Sequence, residues 1–351
     1  MGVKIAITAD VHLRSKEETP ERYGALENVL EQSRTAGVEQ VIIAGDLLDA
    51  EIQNYSDFEA LAGQYEDLQI HVIPGNHDAG ISERSIVGDN IHVYDEPRVA
   101  ALGDVSFLFV PYASGKTMMQ AISESGLKPT AGPWVLIGHG DYYGGVREPN
   151  PLEPGTYMPL TRPDVESLGA HAVFLGHIHK PDTWGRVSYV GSPCGLDINE
   201  TGSRQFVLYD TQTGATTDQA VITDHIYFVE SFVVVPVADD VKILEREIKS
   251  CIEAWGLDES DLAKVCVRVS AAGYTSDKRA IQDALAEGFG RFRYYKDEGP
   301  RTTDLIATQD DQLNAIALRT REALADLDWD FGGDEPDRKQ VLLAALATVY
   351  G

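Results

Sequence analysis

Val3-Lys4-Ile5-Ala6-Ile7-Thr8-Ala9-Asp10-Val11-His12-Leu13 begins as an apolar run and ends on two side chains able to ligate a metal. Val3–Ala9 reads as a buried strand, because a short unbroken apolar run suits a strand covered on both faces. Residues i and i+2 leaving a strand point to the same side, so Asp10 and His12 can offer two ligands into one cleft. The arrangement recurs. Val41–Ala44 leads into Gly45-Asp46, Ile70–Ile73 into Gly75-Asn76-His77-Asp78, Trp134–Ile137 into Gly138-His139, and Ala172–Leu175 into Gly176-His177-Ile178-His179. The glycines let the backbone turn sharply beside the ligands. Any one of these elements is weak, since a lone Asp-x-His is usually a loop feature. All of them together, in order and after strands, point to one cleft lined by Asp10, His12, Asp46, Asn76, His139, His177 and His179. This donor set mixes His, Asp and Asn without a thiolate. It suits Mn²⁺, Fe or Zn²⁺ better than Mg²⁺ or Ca²⁺.

Between these runs the spacing predicts helices over Glu21–Ala36, with Leu26, Val29 and Leu30 on one face and Gly37 as C-cap, and over Tyr55–Leu68. Ser106–Val110, Val187–Val190 and Gln205–Tyr209 read as further strands. Alternating strands and helices imply layered α/β packing. The hairpin-length links after residue 100 favour a mixed sheet, or two sheets between helices. Around residue 225 the texture changes. Ile226–Val237 is β-rich, Val241–Trp255 helical, Val265–Ala271 a strand, Asp277–Phe289 a helix and Phe292–Lys296 a strand. Two helical stretches follow, Gln309–Leu327 and Asp337–Tyr350, separated by the acidic segment Asp328–Asp337. The expected domains are 1–224, 225–302 and 303–351.

Composition narrows the functional classes. The chain has 351 residues, 56 Asp and Glu against 29 Lys and Arg, and a net charge of −27. The longest apolar candidate, Phe228 to Val237, carries Glu230 and Ser231 and falls short of a membrane span. The strand-like start leaves no room for a signal peptide, and Ala6 breaks the myristoylation pattern. Cys194, Cys251 and Cys266 form no CxxC pair and read as reduced thiols of a cytoplasmic protein. So acidic a chain repels polyanions globally, although bound cations reverse the field locally. High internal salt in its native setting is the expectation that follows.

The ordered motifs resemble the calcineurin-like metallophosphoesterase superfamily over roughly the first 210 residues. The resemblance implies two metals. One would be held by Asp10, His12, Asp46 and His179, the other by Asp46, Asn76, His139 and His177, with Asp46 bridging. It also implies that His77 faces the leaving-group oxygen while Asp78 orients its ring. Paired cations clamp phosphoryl oxygens and acidify a water, and an imidazolium can protonate a departing alkoxide. Protein phosphatases of this superfamily show Gly-Asp-x-Val-Asp-Arg-Gly and Gly-Asn-His-Glu. Gly45-Asp46-Leu47-Leu48-Asp49 and Asn76-His77-Asp78 set that branch aside.

The run Leu175-Gly176-His177-Ile178-His179-Lys180-Pro181, followed by Tyr189-Val190-Gly191-Ser192-Pro193, is similar to the SbcD family of DNA double-strand-break nucleases. That similarity implies a metallophosphoesterase β-sandwich flanked by helices, a small α/β capping domain and C-terminal helices. It implies manganese-dependent exonuclease and endonuclease activity in DNA repair, and a cytoplasmic, nucleoid-associated location. The implied partners are DNA and an SMC-like ATPase of the SbcC type gripped by the C-terminal helices; a homodimer is compatible with it. A stand-alone phosphodiesterase for small or cyclic-nucleotide substrates is the alternative. A scaffold without activity is set aside, because every ligand position and His77 are filled.

For substrate contacts the candidates are Lys180, Arg291, Arg293 and Tyr295. Arg291, Arg293 and Tyr295 alternate along Arg291–Lys296 and could share a face that meets phosphates and a base. The competing reading is an edge strand with Phe292 and Tyr294 in the core. Arg186, Tyr142 and Tyr143 are further cleft candidates. The stripe Val341, Leu342, Ala345, Leu346 and Val349 either clasps a partner coiled coil or packs on the chain itself. His71, His92, His171 and His225 read as surface or satisfied-core residues.

Overall fold

The computed structural model describes residues 2–49, 55–127, 132–143, 155–237, 239–330 and 336–351. The chain divides into two compact units, residues 1–195 with 203–224, and residues 196–202 with 225–351.

The first unit is mixed α/β, with two sheets flanked by helices. Its strands are β1 (Lys4–Thr8), β2 (Gln40–Ala44), β3 (Gln69–Ile73), β4 (Ile91–Val93), β5 (Arg98–Leu102), β6 (Val105–Val110) and β7 (Trp134–His139). They continue as β8 (Tyr142–Tyr143), β9 (Leu160–Thr161), β10 (Ala172–Gly176), β11 (Asp182–Trp184), β12 (Val187–Tyr189), β13 (Arg204–Asp210) and β14 (Thr216–Val221). Sheet one runs β14-β13-β1-β2-β3-β4, and sheet two runs β11-β12-β10-β7-β6-β5. β1 to β4 are mutually parallel, as are β6, β7, β10 and β12.

Alternation along each strand builds the layers. Ile5, Ile7 and Ile42 meet Phe107, Phe109, Ile137 and Phe174 between the sheets. Ala6, Val41 and Ile43 face outward onto α1 (Pro20–Thr35) and α2 (Ser56–Ala62). Leu108, Leu136, Val173 and Leu175 do the same beneath α3 (Met118–Ser125) and α4 (Arg162–Leu168). Covered on both faces, the strands read as continuous apolar runs.

Local chemistry sets the boundaries. After α1 the Gly37 amide reaches Arg34 O and the Val38 amide reaches Ser33 O, with Gly37 at φ 68°. That Schellman closure puts Gly37 one position beyond the cap. The helix expected over Tyr55–Leu68 stops at Ala62 and gives way to a 3-10 turn, Gly63–Tyr65. Asn90 accounts for the change: its buried Nδ2 lies within hydrogen-bond reach of the carbonyls of Ala62, Tyr65 and Leu68, and its two N–H groups draw on them in place of a continuing helical ladder. Thr117 and Thr161 close capping boxes on α3 and α4.

The second unit has four parallel strands: β15 (Ile226–Val234), β16 (Val265–Thr275), β17 (Arg293–Tyr294) and β18 (Leu305–Ala307). Its helices are α5 (Asp240–Ala254), α6 (Glu259–Leu262), α7 (Lys278–Gly288), α8 (Asp311–Ala325) and α9 (Arg338–Tyr350). Ile226, Phe232, Val267 and Val269 pack under Leu244, Ile248, Ile281 and Leu285. On the opposite face Val233 and Val235 meet Ala317, Leu342 and Leu346, and the Tyr274 and Tyr350 rings stack at 3.9 Å. Leu342 and Leu346 of the C-terminal stripe thus cover this unit's own sheet. The strand expected over Phe292–Lys296 is cut to Arg293–Tyr294, because the chain turns 3-10 at Tyr295 and Lys296 sits at φ 51°. Of the acidic segment Asp328–Asp337, residues 331–335 lie outside the described residues.

Candidate metal centre

Every ligand-bearing loop leaves the C-terminal end of a parallel strand: β1, β2 and β3 in sheet one, β7 and β10 in sheet two. The exits of β1 and β2 keep their pairing past the strands. The Asp10 amide donates to Gly45 O at 3.0 Å, His12 to Asp46 O at 3.0 Å and Leu13 to Leu47 O at 2.9 Å. This extension holds Asp10, His12 and Asp46 in left-handed conformations, φ 54°, 51° and 50°, and His177 is at φ 95°. A non-glycine residue there costs on the order of 1–3 kcal/mol and persists only where its surroundings over-determine it. Gly45 and Gly75 have no such choice. A methyl group on Gly45 would overlap the His139 ring, and one on Gly75 would overlap Asp46.

The seven expected side chains converge into two overlapping groups. His12 Nε2 lies 3.2 Å from His179 Nε2 and 3.6 Å from Asp46 Oδ2. His139 Nε2 lies 3.2 Å from Asp46 Oδ2 and 2.9 Å from Asn76 Oδ1, which is also 3.0 Å from His177 Nδ1. Asp46 therefore faces both groups. Its other oxygen accepts the His77 amide at 2.9 Å. Asp10 Oδ1 accepts the His177 amide at 2.8 Å. Three sets of residues bring their donor atoms within 4.8 Å of one another: Asp10, His12 and His179; His12, Asp46 and His77; Asp10, Asp46 and His139.

These residues fit divalent cations. Asp10 is fully buried, yet among the described residues its Oδ2 has no hydrogen-bond partner, an orphan that a cation would satisfy. Burial pushes Asp10 up to about 6 against the pull of His179 and His139, and pushes Asp78 up to about 7 with help from the Asp46 charge. Burial acts the same way on Asp46, but His139 and His12 outweigh it and hold that carboxyl well below the usual range. Burial pulls His12 down to about 3, leaving a neutral imidazole suited to ligation. His139 is raised to about 9; Asp46 overcomes the burial that would lower it. The His139 Nδ1 hydrogen goes to Ala44 O at 3.0 Å, which leaves Nε2 facing the cleft.

Around the ligands stands a supporting layer. Asp78, expected to orient His77, instead accepts the Leu48 amide at 3.0 Å and the Gly75 amide at 2.6 Å. It ties the β2 exit to the β3 exit. Among the described residues, Asp49 approaches the His77 ring, with Oδ1 3.6 Å from Nδ1. Asp49 is itself held by Arg14 Nε at 2.7 Å. Sequence reasoning passed over both Asp49 in this role and Asp141. Asp141 Oδ1 lies 3.7 Å from His177 Nε2, and its Oδ2 accepts the Tyr157 amide at 2.7 Å. An acid two residues beyond His139 was the available signal. The Tyr189–Pro193 element clamps the loops: Tyr189 OH donates to Gly140 O at 2.9 Å, and the Ser192 amide donates to His179 O at 3.1 Å.

The remaining candidates fare differently. Lys180 is exposed directly after His179. Arg186 donates to Ala170 O at 2.8 Å, a fold contact. Arg291, Arg293 and Tyr295 belong to the second unit, and the alternation needed to align them ends at Tyr294. The Tyr295 ring is covered by the Arg268 guanidinium at 4.8 Å and the Lys296 ammonium at 5.1 Å. Phe292 is buried and Tyr294 packs against the same core, as the competing reading of this segment requires.

Residues 3–181 match the family model described as calcineurin-like phosphoesterase. The chain belongs to that family, whose members are metal-dependent phosphoesterases. No curated protein matches it. Among solved structures it is similar to a novel archaeal phosphodiesterase, 16% identical over 62% of this chain and 100% of that one, with a TM-score of 0.35. It is also similar to TT1561 of Thermus thermophilus, 12% identical over 63% and 100%, TM-score 0.39. A third is GAP50, the anchor in the inner membrane complex of Plasmodium, 11% identical over 63% and 89%, TM-score 0.38. No helix among the described residues is long and apolar enough to cross a membrane.

Proposed function

We propose that the protein is a two-metal phosphodiesterase of the SbcD type, a manganese-dependent DNA exonuclease and endonuclease that works in double-strand-break repair with an SMC-like ATPase. Asp10, His12, Asp46 and His179 would hold one cation, and Asp46, Asn76, His139 and His177 the other. Bound there, the cations supply charge for the phosphoryl oxygens and acidify a water. The chain's own groups do the rest. His77, a quarter exposed beside this cleft, delivers a proton to the leaving oxygen, with the Asp49 carboxylate 3.6 Å from its Nδ1. The Ala44 carbonyl fixes the His139 ring, and Asp141 places a carboxylate 3.7 Å from His177 Nε2.

The observation that carries the DNA reading is the Tyr189–Pro193 element after Gly176-His177-Ile178-His179. It is similar to SbcD in sequence, and the Tyr189 hydroxyl and the Ser192 amide brace the two histidine loops. The test compares Mn²⁺-dependent degradation of duplex and hairpin DNA with hydrolysis of bis-p-nitrophenyl phosphate. Cleavage of DNA ends or hairpins is expected. A preparation that splits the small diester and leaves every DNA substrate intact sinks the nuclease reading. The net charge of −27 favours that second outcome, a stand-alone phosphodiesterase for small diesters.

A further inference from the structure

The second unit carries a slot that phosphoester chemistry does not use. β15 is an edge strand: β16 pairs with one side, and among the described residues no strand pairs with the other. The Ile226 amide bonds to Lys264 O, so in this parallel ladder even-numbered residues of β15 aim their main chain at β16 and odd-numbered ones aim outward. Two outward carbonyls have donors. Tyr227 O accepts the Gly202 amide at 2.9 Å, and Ser231 O accepts the Lys339 ammonium at 2.6 Å. The outward amides of Val229, Ser231 and Val233 meet no acceptor among the described residues.

Beside this edge lies a cavity of about 630 Å³, large enough for several side chains. Ser231 and Phe232 form its floor, Ile243 and Arg246 of α5 one wall, and Arg321 and Lys339 the other. Its three cations outnumber its two acids, in a chain where acids otherwise dominate. Both acids are already engaged: Glu230 accepts Trp255 Nε1 at 2.9 Å, and Glu247 accepts Arg321 Nη2 at 3.2 Å.

We propose that this slot binds an extended acidic peptide segment of a partner protein, which adds to β15 as an outer strand. The free amides at alternate positions ask for main-chain carbonyls at strand spacing, which an extended peptide supplies and a helix does not. With Arg321 paired to Glu247, Arg246 on one wall and Lys339 on the other select carboxylates. A peptide amide takes Ser231 O in place of Lys339, whose ammonium then meets an acidic side chain of the incoming strand. Without a partner, Lys339 covers the edge and blunts unwanted pairing.

The test uses the full chain and a fluorescent peptide of about ten residues alternating Glu and Val, followed by anisotropy. Saturable binding is expected, weakened roughly tenfold or more by Arg246→Glu and by Ser231→Pro. Proline at 231 removes an outward amide and leaves the β16 ladder intact, which unchanged diesterase activity and melting temperature would verify. The same peptide N-methylated at alternate amides is expected to lose binding to the unmodified protein, a readout independent of any variant's folding. Absence of saturation at about 1 mM, equal affinity for the methylated peptide, or equal displacement by a single-stranded DNA decamer overturns the proposal.

Discussion

The Asp49 carboxylate approaches His77 Nδ1 to 3.6 Å, whereas both oxygens of Asp78 are spent on the amides of Leu48 and Gly75. The two acids therefore separate in their expected effects. Asp49→Asn should lower kcat on unactivated diesters while metal content stays unchanged. Asp78→Asn should release the β2 and β3 exits and lower the metal retained after dialysis. His77→Ala should keep its metal and lose about 10²–10⁴-fold on unactivated diesters, with a smaller loss on p-nitrophenyl esters. Metal loss in that variant would refute the acid role. Away from the cleft, His71 is buried with Nδ1 2.9 Å from Tyr94 OH and Nε2 2.7 Å from Gln40 Oε1. Burial lowers it from 6.5 to about 3. Its folded pKa thus lies below its unfolded one, so its share of stability is full above pH 6.5 and drains away as pH falls toward about 3. The slope reaches about 1.4 kcal/mol per pH unit. Denaturant titrations of wild type and His71→Gln should show a difference that shrinks with acidity across that window.

The parallel strand with a ligand at its C-terminal end is the element on which the site depends. Gly45 shows how tightly these elements are spaced, since its α-carbon lies against the His139 ring. Gly45→Ala should displace His139 and abolish metal binding, measured by elemental analysis, while circular dichroism stays native-like. Elements of this kind are readable in sequence because burial on both faces leaves an unbroken apolar run and the ligand types stand out at its end. Among the strands that escape reading are Ile91–Val93, Arg98–Leu102 and Thr216–Val221. All lie at sheet edges; the first two are short, and the last is polar and mostly exposed, so no sustained pattern marks them. Tyr55–Leu68 misleads for another reason: the Asn90 amide that breaks the helix comes from a distant loop and leaves no trace in the local pattern. The same limit applies to side chains. The residues that gather around Asp46 declare themselves by type, but which acid stands beside His77 depends on how the β2 exit folds back, and spacing alone does not reveal it.

For the molecule as a whole, a net charge of −27 on 351 residues means self-repulsion that added salt relieves. The melting temperature should rise steeply between low and molar KCl; a flat response would remove the high-salt expectation. On the proposed nuclease reading, DNA affinity should show a shallow salt slope, since so acidic a chain has few cations to neutralise phosphates.

The cleft draws residues 10, 12, 46 and 76 from one sheet, and 139, 177 and 179 from the other. Each overlapping group needs a contribution from both. During synthesis the early half of the cleft waits for its complement through most of the first unit's length. The two full ligand sets proposed for the cations are completed only when β10 stands beside β7, because His177 and His179 follow β10. Full metal uptake is thereby expected late in maturation. A chelator added during refolding should spare early collapse, yet leave the finished protein with an open, negatively charged cleft in place of a closed one.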